Sequence, residues 1–182
     1  NAGKLRAVPG AKNVYPVVDI QAPLPPEPGN GVNVEESTAL TKVDIARKSL
    51  GLSGKEIKVA IIDTGIDYDH PDLGGAFGPG KKVAYGYDFV GDSYDSSGEF
   101  GSPVPSPDDD PDDCNGHGTH VAGIVGASAA SDKGITGVAP DVTLGAYRVF
   151  GCRGSSSADV IVAALERAYL DGMQVVNQSL GA

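Results

Sequence analysis

The sequence predicts an α/β fold of three layers, in which a mostly parallel sheet carries helices on both faces. In the segment 57–62, apolar residues occupy positions of both parities, as in a parallel strand that is covered on both sides. Residues 142–180 follow the order strand, helix, strand, which is typical of a parallel crossover unit. The small and apolar run 121–127 predicts a helix packed closely against that sheet.

The N-terminal part of the chain is predicted to form a separate piece. Residues 1–22 favour a turn followed by a short strand, and Pro16 suits an edge position in a sheet. The segment 23–31 is rich in proline and glycine, so we expect a stiff and exposed linker there. Exposed linkers are sites where proteolytic processing occurs.

A helix and then a strand follow this linker. The helix is predicted over residues 42–50. Thr41 and Asp44 have the spacing of a capping box, and Gly51 follows the last turn. The apolar strand ends at Asp63, and catalytic groups collect at this end of parallel strands. A buried carboxylate without a partner is costly, so Asp63 needs a hydrogen-bond donor.

Residues 67–113 form a long excursion that is polar and rich in turns. Loops of this length are uncommon unless they are functional. The end of the excursion, 108–113, holds five aspartates, and carboxylate oxygens are ligands that calcium prefers. The spacing is not that of an EF-hand, and mutually repelling carboxylates favour an open, solvated loop. A solvated loop and a metal-binding loop both remain open for this segment.

His117 stands between Gly116 and Gly118 at the start of the small apolar helix. Glycines on both sides let the backbone bend and let a substrate approach the imidazole. His120 follows three residues later, but zinc peptidases space their histidines by four with a glutamate between them. His120 is therefore interpreted as a structural histidine, hydrogen-bonded inside the fold. We interpret His117 as a general base and Asp63 as the carboxylate that orients it.

The last part of the chain predicts a strand, a helix and a strand. The first strand covers 142–150. Ser157 is suited to cap a helix whose apolar residues recur at helical spacing, and Gly172 ends that helix. The second strand covers 174–180. We expect the catalytic residues to converge at one edge of the resulting sheet.

Two segments carry a resemblance to a known family. They are 63–73, DTGIDYDHPDL, and 115–123, NGHGTHVAG, with shorter matches at 137–140, 148–151 and 175–181. In these segments the sequence resembles the subtilisin-like serine peptidases, over roughly residues 37–182. That family orders its triad as Asp, His and Ser along the chain. The resemblance implies a subtilisin-like fold and a mechanism in which Asp63 and His117 are the first two members.

The third member of the triad is missing from the 182 residues. No serine motif of the expected kind occurs before Ala182. The serines at 155–157 and Ser179 fall where the family places substrate-binding backbone. We therefore expect an N-terminal portion of a catalytic domain, incomplete at its C-terminal side and inactive alone. The remainder of that domain would then be a partner of this portion.

The resemblance also implies a domain order. Residues 1–22 are similar to the end of an inhibitory prosegment, 23–36 would be the linker and processing region, and 37–182 would be the catalytic portion. An ordinary N-terminal edge strand is the alternative for residues 1–22. The implied partners are polypeptide substrates and the chain's own prosegment, which would act as an intramolecular inhibitor.

Two further segments match the family's pair of strands that hold a substrate backbone as an added β-strand. They are Gly154, Ser155 and Ser156 on one side of the cleft and Ser179, Leu180 and Gly181 on the other. An ordinary loop and an ordinary core strand are the alternatives. Asp112 and Asp113, just before the His117 motif, predict a negative cleft rim that favours basic residues away from the scissile bond.

The resemblance implies a disulfide and a metal ligand. Related secreted members have cysteines at places that match Cys114 and Cys152, and these form a bridge. An even cysteine count in an extracellular chain favours pairing, and two free buried thiols are the alternative. Asp72 is implied, by resemblance alone, as a ligand of a structural calcium ion. The chemistry itself would need no cofactor.

Composition and charge limit the partners. The formal net charge of −10 argues against nucleic acid or an anionic membrane as a partner. No run of about 18 apolar residues is present that could span a membrane. Together with the resemblance, these features predict a secreted serine endopeptidase. The alternative is a non-catalytic peptide-binding or prosegment-locked module, which would not need both Asp63 and His117.

Overall fold

A computed structural model describes the chain at residues 4, 8–9, 12–25, 34–132 and 134–181. The strands in this part of the chain are β1 Asp19–Gln21, β2 Lys58–Asp63, β3 Val83–Asp88, β4 Thr143–Arg148, β5 Ser155–Ser157 and β6 Val175–Asn177. The helices are α1 Val34–Leu40, α2 Val43–Leu50, α3 His117–Gly126 and α4 Ala158–Leu170, with a short 3-10 helix at Pro71–Leu73.

Four strands form a parallel sheet in the order β3, β4, β2, β6. Asp63 at the end of β2 stands beside Arg148 at the end of β4, and Arg148 stands beside Asp88 at the end of β3. The carboxyl ends of three neighbouring strands therefore meet at one edge. The sheet order confirms the predicted mostly parallel α/β fold.

The two faces of β2 belong to two separate cores, one beneath each helix. Val59 and Ile61 pack in the cluster that includes Val121 and Ala122 of α3. On the other face, residues of β2, β4 and α4 form the second cluster, which contains Ala60, Ile62, Tyr147, Ile161, Ala164 and Ala168. Since burying one such aliphatic side chain contributes about 1.5 to 3 kcal/mol, both faces stabilise the sheet.

Besides the short 3-10 helix at Pro71–Leu73, two elements were not predicted from the sequence. Strand β3 lies within the excursion that the sequence presented as polar and turn-rich. It is an edge strand in which only Val83 and Asp88 are buried, so its apolar signal is weak. Helix α1 begins inside the range 23–36 that was predicted as linker, and residues 26–33 of that range lie outside the described residues.

The predicted helix caps are wrong in two places, although the helices themselves form. Helix α2 begins within one residue of the expected position, but the hydroxyl of Thr41 donates to the carbonyl of Ser37 at 2.7 Å. Asp44 instead forms an exposed ion pair with Lys48 at 3.8 Å. Before α4, the hydroxyl of Ser157 bonds to the hydroxyl of Tyr94 at 3.1 Å rather than to the helix.

Candidate active site

The structure brings Asp63 and His117 together across 54 positions of sequence. The Nδ1 atom of His117 lies 2.8 Å from the Oδ1 atom of Asp63. The side chain of Asp63 is fully buried, whereas that of His117 is 19% exposed. The same Oδ1 atom accepts a hydrogen bond from the backbone N–H of Thr64 at 2.7 Å. One carboxylate oxygen therefore holds both the ring and the turn that follows β2.

Helix α3 approaches β2 closely because Gly118 has no side chain. A Cβ atom at this position would overlap the carbonyl oxygen of Gly65. The backbone N–H of Gly118 donates to the hydroxyl of Thr64 at 2.9 Å. This contact fixes the first turn of the helix, and with it His117, against the end of the strand. The close approach here is between two backbone segments, not between a substrate and the ring.

Asp113 organises the same junction from the other side. Its Oδ1 atom accepts from the hydroxyl of Thr64 at 3.0 Å and from the N–H groups of Asn115 and Gly116, each at 2.9 Å. Its Oδ2 atom accepts from the N–H of Thr119 at 2.9 Å and from the hydroxyl of the same residue. The sequence suggested only a rim charge here, but a carboxylate just before a helix is also the usual signal for an N-terminal cap.

The electrostatics of Asp63 are unusual for an aspartate. Burial raises the pKa of its carboxyl, and the hydrogen bonds from His117 and Thr64 lower it by less. The Oδ2 atom is buried and has no hydrogen-bond partner among the described residues. This carboxylate is therefore desolvated and only partly satisfied by donors, and the ring of His117 is one of its two partners.

The second histidine of the motif has no comparable contact. His120 is half-buried, and within residues 34–132 and 134–181 its side chain makes no hydrogen bond. Its backbone N–H donates to the carbonyl of Gly116 at 3.1 Å, as expected inside a helix. The expectation of a hydrogen-bonded structural histidine is therefore not met.

Cys114 and Cys152 form a disulfide, as the sequence predicted, with their Cα atoms 5.1 Å apart. The guanidinium of Arg148 lies beneath the bridge, with Nη2 at 3.0 Å from the sulfur of Cys114. Arg148 is buried and pairs with Asp88 at 3.2 Å and with Asp92 at 2.8 Å. The bridge therefore joins the segment just before His117 to the segment that leads into β5.

Two groups in the structure bear on the prediction of a metal site. Asp92, Cys114 and Cys152 bring three ligand-type atoms within 4.8 Å of one another. Because both sulfurs are in the disulfide, neither is a thiolate, and the group does not fit a metal ion. Asp72 accepts hydrogen bonds from the N–H groups of Ala130 at 2.9 Å and Ile135 at 2.8 Å. These bonds lower the pKa of Asp72, which remains a predicted calcium ligand and here holds a loop.

Asp108, Asp109, Asp110 and Asp112 of the aspartate-rich loop are exposed, and three of them also make specific contacts. The hydroxyl of Tyr68 donates to Asp110 at 2.5 Å, and burial together with this bond raises the pKa of Tyr68. Asp108 accepts from the N–H of Asp110 at 2.8 Å. Asp112 is exposed, and its carboxylate accepts from the N–H of Asp113 at 2.9 Å. The loop is therefore held to Tyr68 and to its own backbone.

The first of the two predicted substrate segments pairs with an N-terminal strand. Strand β1 pairs antiparallel with β5, so that Ile20 stands opposite Ser156. The N–H of Ala22 also donates to the carbonyl of Gly154 at 2.8 Å. Leu180 packs against the same apolar cluster as Ile20 and Ala22.

The second segment shows less specific contact. The hydroxyl of Ser179 donates to the side chain of Asn177 at 2.8 Å, and Gly181 is exposed.

None of the helices formed by the described residues is long and apolar enough to cross a lipid bilayer.

The structure is an α/β fold whose Asp63–His117 pair lies at the carboxyl end of β2, the edge at which proteins of this class hold their functional groups. Comparison with known proteins identifies the family. Residues 54–182 match the Subtilase family, and the chain belongs to this family.

Several characterised relatives are similar to this chain. The minor extracellular protease Vpr of Bacillus subtilis (strain 168) is 42% identical over 98% of the chain, which corresponds to 21% of the relative. The thermophilic serine proteinase of Bacillus sp. (strain AK1) is 43% identical over 72% of the chain and 27% of the relative. Subtilisin DY of Bacillus licheniformis is 41% identical over 72% of the chain and 39% of the relative. The chain thus spans less than half the length of each of these three relatives.

Proposed function

We propose that the protein is a serine endopeptidase in which Asp63 and His117 are two members of a Ser-His-Asp triad. The observation that carries this proposal is the 2.8 Å contact between His117 and the buried carboxylate of Asp63. Family membership and relatives named as serine proteinases support it. The nucleophilic serine would come from a part of the protein outside these 182 residues, so we expect the 182-residue chain alone to be inactive.

In the proposed mechanism, His117 acts as the general base. Its Nδ1–H is held by Asp63, so the Nε2 atom is left to take the proton of the serine hydroxyl. The ring is 19% exposed, which leaves it accessible from the cleft. As the imidazolium forms, the desolvated carboxylate of Asp63 stabilises its positive charge without itself becoming protonated. No cofactor takes part in these steps.

The substrate would be an extended polypeptide that adds a strand to β5. This is supported by β1, which already pairs with β5 in antiparallel register at Ser155–Ser157. Backbone hydrogen bonds along such an edge provide affinity for any sequence, while the neighbouring side chains provide selectivity. Leu180 on the opposite side belongs to the apolar cluster that Ile20 and Ala22 contact.

We further propose that residues 1–22 are the end of an inhibitory prosegment. Its support is the same pairing, since β1 lies on the strand that a substrate would use. The N–H of Ala158 donates to the carbonyl of Val18 at 3.0 Å and extends the contact by one residue beyond β1. Cleavage within 23–36 would then release the mature enzyme. The same contact is what a prosegment-locked module without activity would display, and the experiment below separates the two.

Secretion is the proposed location. The disulfide between Cys114 and Cys152 is typical of proteins that fold in oxidising compartments. A similar protein is named as an extracellular protease, in agreement with this location. A mass measurement on protein from culture medium, before and after reduction, would test it by a gain of two hydrogens on reduction.

The full-length protein containing these residues should react with a fluorophosphonate directed at active serines and should hydrolyse casein. His117→Ala should lower the rate by several powers of ten, because the serine loses its base. His120→Ala is the matched control, since this neighbouring histidine makes no contact with Asp63. Full labelling and hydrolysis in His117→Ala would overturn the proposal. Absence of both in the wild-type protein, even after cleavage in 23–36, would favour the non-catalytic module.

A further inference from the structure

A second fully buried carboxylate, Asp95, lies directly beneath β5. Its Oδ1 atom accepts from the N–H and from the hydroxyl of Ser155, both at 2.8 Å. It also accepts from the N–H of Ser97 at 3.2 Å. The Oδ2 atom accepts from the hydroxyl of Ser97 and from the N–H of Phe100, both at 2.8 Å. Five donors from two separate segments therefore converge on one side chain.

The segment around Asp95 borders β5 along the edge opposite β1. The N–H of Ser96 donates to the carbonyl of Ser155 at 3.0 Å, and the two hydroxyls lie 2.8 Å apart. Gly154 has a φ of 98°, and a Cβ atom there would lie 2.5 Å from the carboxyl carbon of Asp95. Glycine is therefore required for the chain to turn over the carboxylate into β5.

Strand β5 depends on these contacts because it is not part of the main sheet. It is three residues long, and its ladder partner within the described chain is β1. If a substrate replaced β1, strand β5 would be extended beforehand only if other contacts held it in that conformation. The contacts from Asp95 to Ser155 provide such a support from the other edge.

We propose that Asp95 is a positioning residue for the substrate strand: it keeps β5 extended and preformed so that a peptide can add to its free edge. The inference rests on the proposed function, in which β5 binds the substrate. A preformed edge lowers the ordering cost of binding, so the residue acts on substrate affinity and not on the bond-breaking step. It touches neither the substrate nor the Asp63–His117 pair.

The first test needs no enzymatic activity and uses the full-length protein with residues 1–22 still attached. In Asp95→Asn an NH₂ group replaces one carboxylate oxygen, and each of the two oxygens accepts at least two hydrogen bonds, so the variant should loosen β5. In hydrogen exchange, the N–H groups of Ala22 and Ala158, which link the N-terminal strand to the ends of β5, should exchange at least about tenfold faster. The N–H of Val149, which donates to the carbonyl of Asp63, should be unchanged.

Two further variants make this test specific. Ser97→Ala removes one hydroxyl donor to Asp95 and should give a smaller acceleration in the same direction. Glu99→Gln removes an exposed charge four residues from Asp95 and should give no acceleration. Equal exchange in Asp95→Asn and Glu99→Gln would overturn the proposal. So would a uniform acceleration that includes Val149, because it would indicate general destabilisation.

The second test uses the full-length enzyme and peptides of two lengths. With a peptide long enough to pair with residues 155–157, Asp95→Asn should raise KM about tenfold and change kcat by less than about twofold. With a peptide too short to reach these residues, both constants should stay at the wild-type value. Equal losses with both peptides would overturn the proposal. If the wild-type enzyme cleaves neither peptide, the proposed function fails, while the exchange measurement still decides the role of Asp95.

Discussion

Asp63 and Asp95 are both fully buried aspartates, but they differ in how completely their carboxylate oxygens are hydrogen-bonded. Asp63 uses one oxygen for His117 and Thr64, and its other oxygen has no partner among the described residues. Burial raises its pKa. Burial alone would also raise the pKa of Asp95, but hydrogen bonds from Phe100, Ser155 and Ser97 outweigh it and hold the pKa well below the usual range.

Under the proposed function, the contrast separates a carboxylate that orients a catalytic histidine from a carboxylate that holds structure. The charged form of a fully satisfied carboxylate such as Asp95 is stabilised by its hydrogen-bond donors, and the carboxylate in turn stabilises the segments that donate to it. Asp63 is buried with one oxygen lacking a donor, so in the proposed mechanism its carboxylate stabilises the positive charge that develops on His117. Buried polar groups left unsatisfied in this way are concentrated at functional sites.

The largest expected effect comes from replacing Asp63. Asp63→Asn in the full-length enzyme should lower kcat about 10⁴-fold, because a neutral amide no longer orients the histidine and stabilises the imidazolium. The free energy of unfolding should stay the same or rise by about 1 kcal/mol, because a poorly satisfied buried charge is removed. Urea unfolding and peptide hydrolysis on the same preparation measure both. A loss of several kcal/mol in stability would contradict the description of Asp63 as the carboxylate whose charge is poorly satisfied.

The disulfide joins the two regions, so its removal should destabilise both, and β5 with its partner strand should loosen first. The bridge between Cys114 and Cys152 closes a loop of 38 positions, which corresponds to at most about 4 kcal/mol of stabilisation. Reduction, or Cys114→Ala with Cys152→Ala, should lower the thermal midpoint and accelerate exchange at Ala22 before exchange at Val149. Unchanged stability after complete reduction would contradict this prediction, as would two titratable thiols in the native protein.

The sequence predicted the reactive region better than the structural one, for a physical reason. His117 lies in a local glycine–histidine–glycine pattern, and Asp63 ends an apolar strand, so both carry a signal in their neighbours. Asp95 has no such signal, because its role arises from donors as far as 60 positions away. In the same way, the hydroxyl of Ser157 was expected to cap a helix, but a tertiary contact with Tyr94 engages it instead.

The elements were predicted where burial on both faces gives a clear pattern. The central strand β2 and helix α4 formed close to the expected positions. The edge strand β3 was missed, since one side of such a strand faces solvent and its sequence alternates weakly. Asp113 was predicted only as a rim charge, because five donors from a turn and a helix start cannot be read from composition.

The pH dependence of stability should have opposite signs for the two carboxylates. The pKa of Asp95 is lowered in the folded protein, so its contribution is present above the unfolded pKa of about 3.8 and is lost as the pH falls below it. The pKa of Asp63 is raised, so its contribution is present below about 3.8 and is lost as the pH rises through the higher folded value.

Urea unfolding between pH 3 and pH 7 measures this difference through two variants. Relative to wild type, Asp95→Asn should be destabilised by about 2 kcal/mol at pH 7 and by less at pH 3. Asp63→Asn should gain stability relative to wild type as the pH rises. Parallel curves for the two variants would show that the two carboxylates do not differ in the way described.

The smallest expected effect concerns charge at the rim of the reactive region. Asp112 is exposed, and partial burial together with the nearby Asp67, Asp110 and Asp69 raises its pKa, which indicates a locally negative surface. In the full-length enzyme, basic peptides should be preferred over acidic ones, and Asp112→Asn should reduce that preference about two- to threefold at low salt. The effect should fade above about 0.15 M salt, where charges are screened beyond roughly 8 Å. Asp141→Asn is the matched control, because this exposed aspartate precedes β4 at the opposite end of the sheet. An equal effect of both variants would mean that net charge, and not a charged cleft rim, sets the preference.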